Sequence, residues 1–222
     1  MGGLETLALA AGSAWAAGIN LYATVLVLGL MDLFGFATLP NELGVLSSPM
    51  VLGMAALLFC IEFVADKVPG VDSLWDMLHT FIRIPAGAYL AASTAAGMDF
   101  GLPEETAYIA ALVMGGVISG GSHLSKATSR AAINTSPEPF TNWFASFLED
   151  FLAIGAIILA VFAPMVLLGI VGLFILLAVW LLPKLTRTLI RLFRGAKRDD
   201  RETGGGITLR PNRMPRPIEP PD

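Results

Sequence analysis

Four runs without a single charged residue govern what this chain can fold into: Thr6–Met31, Leu43–Ile61, Thr106–Ser125 and Phe151–Pro183. At about 20 residues per crossing, each is long enough to span the hydrocarbon core of a bilayer. Of the 222 residues 55% are hydrophobic and only 14% charged, and the mean hydropathy is +0.71. A soluble domain of this length needs more surface charge than that. The expected class is therefore an all-α, polytopic transmembrane helix bundle of about six spans, with the lipid bilayer as its first partner.

The net charge of −4 says less than the placement of the charges. All 14 Lys and Arg fall at Lys67, Arg83, Lys126, Arg130 or from Lys184 onward. Six crossings put all of these positions on one side, which the positive-inside rule makes the cytoplasm, with both termini there. The expected location is a bacterial inner membrane. Residues 1–183 form the transmembrane domain, 184–198 a basic juxtamembrane helix, and 199–222 a disordered Gly-, Pro- and Arg-rich tail. The one cysteine, Cys60, is expected to be a small core residue. Thr135 or Ser136 is placed to cap a following helix.

Three spans are irregular, the fifth because Phe151 to Ala163 is too short alone and must take in Trp143 to Asp150, and with them Glu149 and Asp150. The first, Thr6 to Leu30, is interrupted by Gly18-Ile-Asn-Leu-Tyr-Ala-Thr, too polar to face lipid. The third has only Ile84–Met98 free of charge and must borrow residues from its flanks. Borrowing from the preceding segment draws His79 and Arg83 into the membrane boundary, where ionisable groups are costly and by default functional.

That segment, Glu62 to Arg83, is the candidate site. On a helix, Asp72, Asp76, His79 and Arg83 fall at i, i+4, i+7 and i+11 and share one face, while Leu74, Trp75, Leu78 and Ile82 take the other. A partial echo follows Pro139: Asn142, Ser146 and Glu149 repeat the offsets of Asp72, Asp76 and His79 from Pro69. A weaker one links Gly18-x-Asn20-Leu21 with Gly121-x-His123-Leu124. Transporter folds are often built from such repeats, with broken helices meeting at the repeat interface.

With Gly18-Ile-Asn-Leu-Tyr-Ala-Thr, Glu62-Phe-Val-Ala-Asp-Lys-Val-Pro-Gly-Val-Asp-Ser-Leu-Trp-Asp, His79-Thr-Phe-Ile-Arg and Asn134-Thr-Ser-Pro-Glu-Pro in view, the chain resembles a bacterial membrane family. That family is catalogued as domain of unknown function 4126, and the likeness covers roughly Leu4 to Leu182. It implies a membrane protein and no particular chemistry.

The expected activity is therefore read from the residues: a transporter or channel for a small ion or solute. Its polar site, near the cytoplasmic side, comprises Asp72, Asp76, His79, Arg83, Asn142, Glu149 and Asp150. Glu62, Asp66, Lys67, Asn20, His123, Lys126 and Arg130 form a secondary set. Carboxylates with imidazole suit a divalent cation, for which Asp76, His79 and Glu149 are the expected ligands. The alternative is recognition or flipping of an anionic lipid by Arg83, Lys67, Lys126 and Arg130. A membrane-embedded metal-dependent hydrolase comes third, because Asp76 and His79 lack a nucleophile signature. The bland reading makes Asp66–Lys67 and Asp76–Arg83 structural ion pairs. No nucleic acid is expected as partner, and the sequence leaves a homo-oligomer open.

Overall fold

The computed structural model describes residues 2–96, 98–134, 139–181 and 184, and every described element is helical. They are α1 (Gly3–Ile19), α2 (Leu21–Leu33), a short 3-10 helix (Asn41–Ser47), α3 (Pro49–Ala65), α4 (Val71–Ala95), α5 (Glu104–Ile133), α6 (Pro139–Phe162) and α7 (Pro164–Leu181). The chain divides into two units, Met1–Ala178 and Val179–Asp222. In the second, Lys184 Nζ lies 3.3 Å from the Trp180 ring centroid. The basic helix expected at 184–198 is otherwise outside the described residues, as are the 199–222 tail and the Thr135/Ser136 cap.

Local chemistry sets the helix ends. Glu5 reaches back to the Gly2 N–H, satisfying one free donor of α1. Asn20 and Ser48 cap α2 and α3 through their side-chain oxygens, and Pro49 supplies the first position of α3. Gly70, at φ 87°, makes the left-handed turn into α4, and the Asp72 carboxylate accepts the N–H groups of Gly70 and Ser73 there.

The apolar run Thr6–Leu30 is not one pass. It folds as a hairpin, and its contacts with α6 show the reversal. Asn20, at the tip, bonds to Asp150. Going backward from the tip, Gly12 lies against Ala156 and Ala160, and going forward beyond α2, Phe36 packs its ring on Phe162. Both arms therefore climb α6 in the same direction. A cavity shared by Gly3, Thr6, Leu39 and Pro40 brings the two outer ends together.

Helix α1 is the centre of the bundle: Ala8, Ala14, Ala16 and Ala17 are fully enclosed. Its small side chains let α4, α5 and α6 close around it. An added Cβ at Gly18 would collide with Ser122 Oγ and Ser119 O. Between α4 and α5, a Cβ at Gly115 would lie 3.1 Å from Ala88 Cα, so the small residues of α5 allow close helix packing there. Ser119 bridges the same pair by donating to Arg83 O at 3.0 Å.

Among the described residues, three helices are long and apolar enough to cross a membrane: Glu104–Ile133, Phe140–Phe162 and Pro164–Leu181. A fourth is reached if the 3-10 helix and α3, bent by 66°, count as one. The six-span expectation falls short for two physical reasons: α1 and α2 turn back on each other, and α4 carries its charges inward. Helix α4 has the length, 25 residues or about 37 Å. Cys60, expected in the core, is exposed on α3. The outer faces of the bundle are apolar, with Leu57, Leu78, Phe81, Phe144 and Phe151 all uncovered.

Candidate functional site

Helical spacing places Asp72, Asp76, His79 and Arg83 on one face of α4, and all four are buried, whereas Leu74, Leu78 and Ile82 on the other face are exposed. Opposite them stand Glu62 and Asp66 at the end of α3, His123, Lys126 and Arg130 on α5, and Asn142, Glu149 and Asp150 on α6. Glu62, Arg83 and Arg130 are each 0% exposed. Leaving such groups without partners would cost several kcal/mol per ion, so the pairing pattern is what makes the fold viable.

Arg83 bridges Glu62 Oε1 (2.6 Å, from Nη2) and Asp76 Oδ1 (2.7 Å, from Nη1). Arg130 grips Glu149 through Nε and Nη2 and also donates to the Asp66 carbonyl and to Asn142. Lys126 sits between these two arginines. Its Nζ lies 2.8 Å from Asp66, 3.4 Å from Glu62, 3.5 Å from Asp76 and 3.6 Å from Glu149. The same nitrogen donates to Ile19 O at 3.1 Å, satisfying a carbonyl that the end of α1 leaves free. One ammonium thus joins four carboxylates to the tip of the hairpin.

The histidines extend the network. His79 Nδ1 donates to Trp75 O at 2.8 Å, which leaves Nε2 to accept from the Tyr22 hydroxyl at 3.0 Å. Thr80 gives its hydrogen to Asp76 O, so it accepts from His123 Nε2 at 2.8 Å, and His123 Nδ1 accepts from Arg83 at 3.3 Å. Asp72 is held by Asn134 Nδ2, 2.9 Å and 3.0 Å from its two oxygens, and lies 3.9 Å from Arg130.

Asp76–Arg83 is an ion pair as read from the sequence, but Asp66–Lys67 is not. Asp66 turns to Lys126, while Lys67 lies 3.0 Å from the Phe63 ring centroid and donates to Ser146. Lys67 occupies the turn after α3, where burial lowers its pKa from the ordinary lysine value against the opposing pull of Asp150 and Asp66. The metal set Asp76, His79 and Glu149 is not assembled. Among the described residues no three His, Cys, Asp or Glu side chains are placed to hold a metal ion, because the carboxylates face arginine and lysine and both ring nitrogens of His79 are engaged.

The primary and secondary residues of the sequence reading converge on one cluster, but with a different centre. The expected meeting of α4 with α6 is mediated by α5, through Lys126 and Arg130. Matched positions of the Pro69/Pro139 echo do share a partner: Asp72 and Asn142 both face Arg130. Gly121-x-His123 belongs to an unbroken helix, unlike Gly18-x-Asn20. Four polar partners were missed: Tyr22, Thr80, Asn134 and Ser146. Each stood inside a stretch already singled out, three in the long motifs and Ser146 in the echo.

A groove of ≈ 450 Å³ reaches Lys126 and Glu149 between walls that include Trp15, Phe144, Leu148 and Phe174. A cavity of ≈ 660 Å³ beside the start of α5 is lined in part by Asp99, Glu104 and Glu105. No curated protein and no solved structure matches the chain. The family model described as Domain of unknown function (DUF4126) matches residues 7–184, nearly all of the helical bundle, and the chain belongs to that family.

Proposed function

We propose that this protein is a membrane transporter or channel for a small ion or solute, and that its cargo is cationic. One observation carries the reading. Six buried or nearly buried carboxylates (Glu62, Asp66, Asp72, Asp76, Glu149 and Asp150) meet three enclosed bases, Arg83, Lys126 and Arg130, with Lys67 at the edge. The acids outnumber the bases at the tip of a helical hairpin. Surplus negative charge in a low-dielectric interior calls for a proton or a cation, and hairpin tips of this kind are tolerated at membrane depth where they are buried in protein or line a pathway.

In this reading α3 to α7 cross a bacterial inner membrane, and α1–α2 dips in from the far side and returns. Every Lys and Arg then remains cytoplasmic, the C-terminus with them, while the N-terminus moves to the other face. The acid-lined cavity by Asp99, Glu104 and Glu105 opens at that outer face, where it would concentrate cations. Lipid recognition draws less support, since Arg83, Lys126 and Arg130 are already engaged by carboxylates.

The test is a thermal-shift panel of monovalent cations, divalent cations, simple anions and anionic lipids on detergent-purified wild type, Asp76→Asn and Glu149→Gln. A cation that stabilises the wild type and neither variant is expected. Stabilisation by anionic lipid alone, or no ligand that separates the three proteins, would remove the cation reading.

A further inference from the structure

One carboxylate of the cluster stands apart from the rest. Glu62, Asp66, Asp72, Asp76 and Glu149 each lie within 4 Å of an arginine or lysine nitrogen, at 3.9 Å for the loosest, Asp72. Asp150 has no such partner among the described residues, although it is only 6% exposed. Its Oδ1 accepts from Asn20 Nδ2 at 2.9 Å, and its Oδ2 is buried with no hydrogen-bond partner. The charged groups that face it are Asp66 and Lys67 from the end of α3 and Lys126 from α5. From the hairpin its hydrogen-bond donor is the neutral amide of Asn20.

We propose that Asp150 is a proton-binding site and that Asn20, at the hairpin tip, reads whether the proton is present. The proton comes from hydronium in the solvent: one of its O–H bonds breaks as the Oδ2–H bond forms, leaving water and turning the Asp150 anion into a neutral acid. As an anion, Asp150 receives a charge-assisted hydrogen bond from Asn20, about twice as strong as a neutral one. Protonation removes that assistance and turns Oδ2 into a donor. The acceptor of the same amide, Asn20 Oδ1, already caps α2 by accepting the Ala23 N–H at 2.9 Å. Asn20 O is also occupied, accepting from Thr24 N at 3.1 Å and Thr24 Oγ1 at 2.8 Å. The amide cannot turn to serve the protonated acid without uncapping α2, so proton binding at Asp150 is linked to the seating of the hairpin. That linkage serves as the coupling step of the transport proposed above, on which its use, though not the site, depends.

Infrared difference spectra of the full chain in lipid, taken across a pH titration, read the site without any transport measurement. Wild type is expected to gain a carbonyl band of a protonated carboxylic acid as the pH falls. Asp150→Asn loses that component, Asp150→Glu keeps it at a displaced frequency, and Asn20→Ala keeps it but displaces the pH at which it develops. The same component in Asp150→Asn, or an undisplaced frequency in Asp150→Glu, would overturn the assignment. An unchanged titration in Asn20→Ala would overturn the link to the hairpin. Absence of ion flux would leave the spectra untouched, so the site and the transport reading fail separately.

Discussion

Lys126 is the residue on which the cluster turns, since its one ammonium lies within 4 Å of Glu62, Asp66, Asp76 and Glu149. From sequence it looked secondary because a basic residue at that position is what the positive-inside rule expects in any case. The face shared by Asp72, Asp76, His79 and Arg83 was legible, because helical periodicity alone fixes it. Apart from Asp76–Arg83, which base answers which acid was not, since those pairs join residues as far apart as Glu62 and Lys126 through tertiary contact. Arg83 tests the pairing. Arg83→Met leaves Glu62 and Asp76 without their closest base, and unfolding free energy is expected to fall by about 3–5 kcal/mol. Adding Glu62→Met to that variant should restore part of the loss, and a purely additive double variant would mean that the pair contributes nothing as a pair.

At the scale of the element, the α1–α2 hairpin separates what a pattern reveals from what it hides. Asn20 interrupting an apolar run marked a break, and its cap on Ala23 N–H bears that out. The reversal of direction left no local trace, because apolar runs on two antiparallel helices read the same as on one long span. The hairpin is held by close approach at Gly18, where any side chain meets the backbone of α5. Gly18→Ala is expected to destabilise the protein by about 1–3 kcal/mol. Gly53→Ala on α3, where a Cβ meets nothing within 4 Å, should be neutral or stabilise by up to about 1 kcal/mol. Unfolding titrations in mixed micelles compare the two, and equal effects would contradict the packing described here.

For the whole molecule, the apolar runs announced a helical bundle, and the inward charges of α4 obscured how many of its helices qualify as spans. The hairpin topology makes a sided prediction. In a Cys60→Ser background, cysteines at Glu5, Glu42 and Glu104 should react with an impermeant reagent from one side of the membrane, and a cysteine at Val68 from the other. Reaction of Glu5→Cys together with Val68→Cys would restore a through-going first span. Cation movement through the acid-rich cluster, the activity proposed above, is measured directly as flux out of proteoliposomes. Wild-type vesicles, loaded with a panel of monovalent and divalent cations and given a pH gradient, should pass at least one cation. Asp76→Asn and Asp150→Asn should reduce that flux at least about tenfold, the effect of losing roughly 1.4 kcal/mol of stabilisation at the limiting step. Flux equal to empty vesicles for every cation, or flux undiminished in both variants, would contradict it.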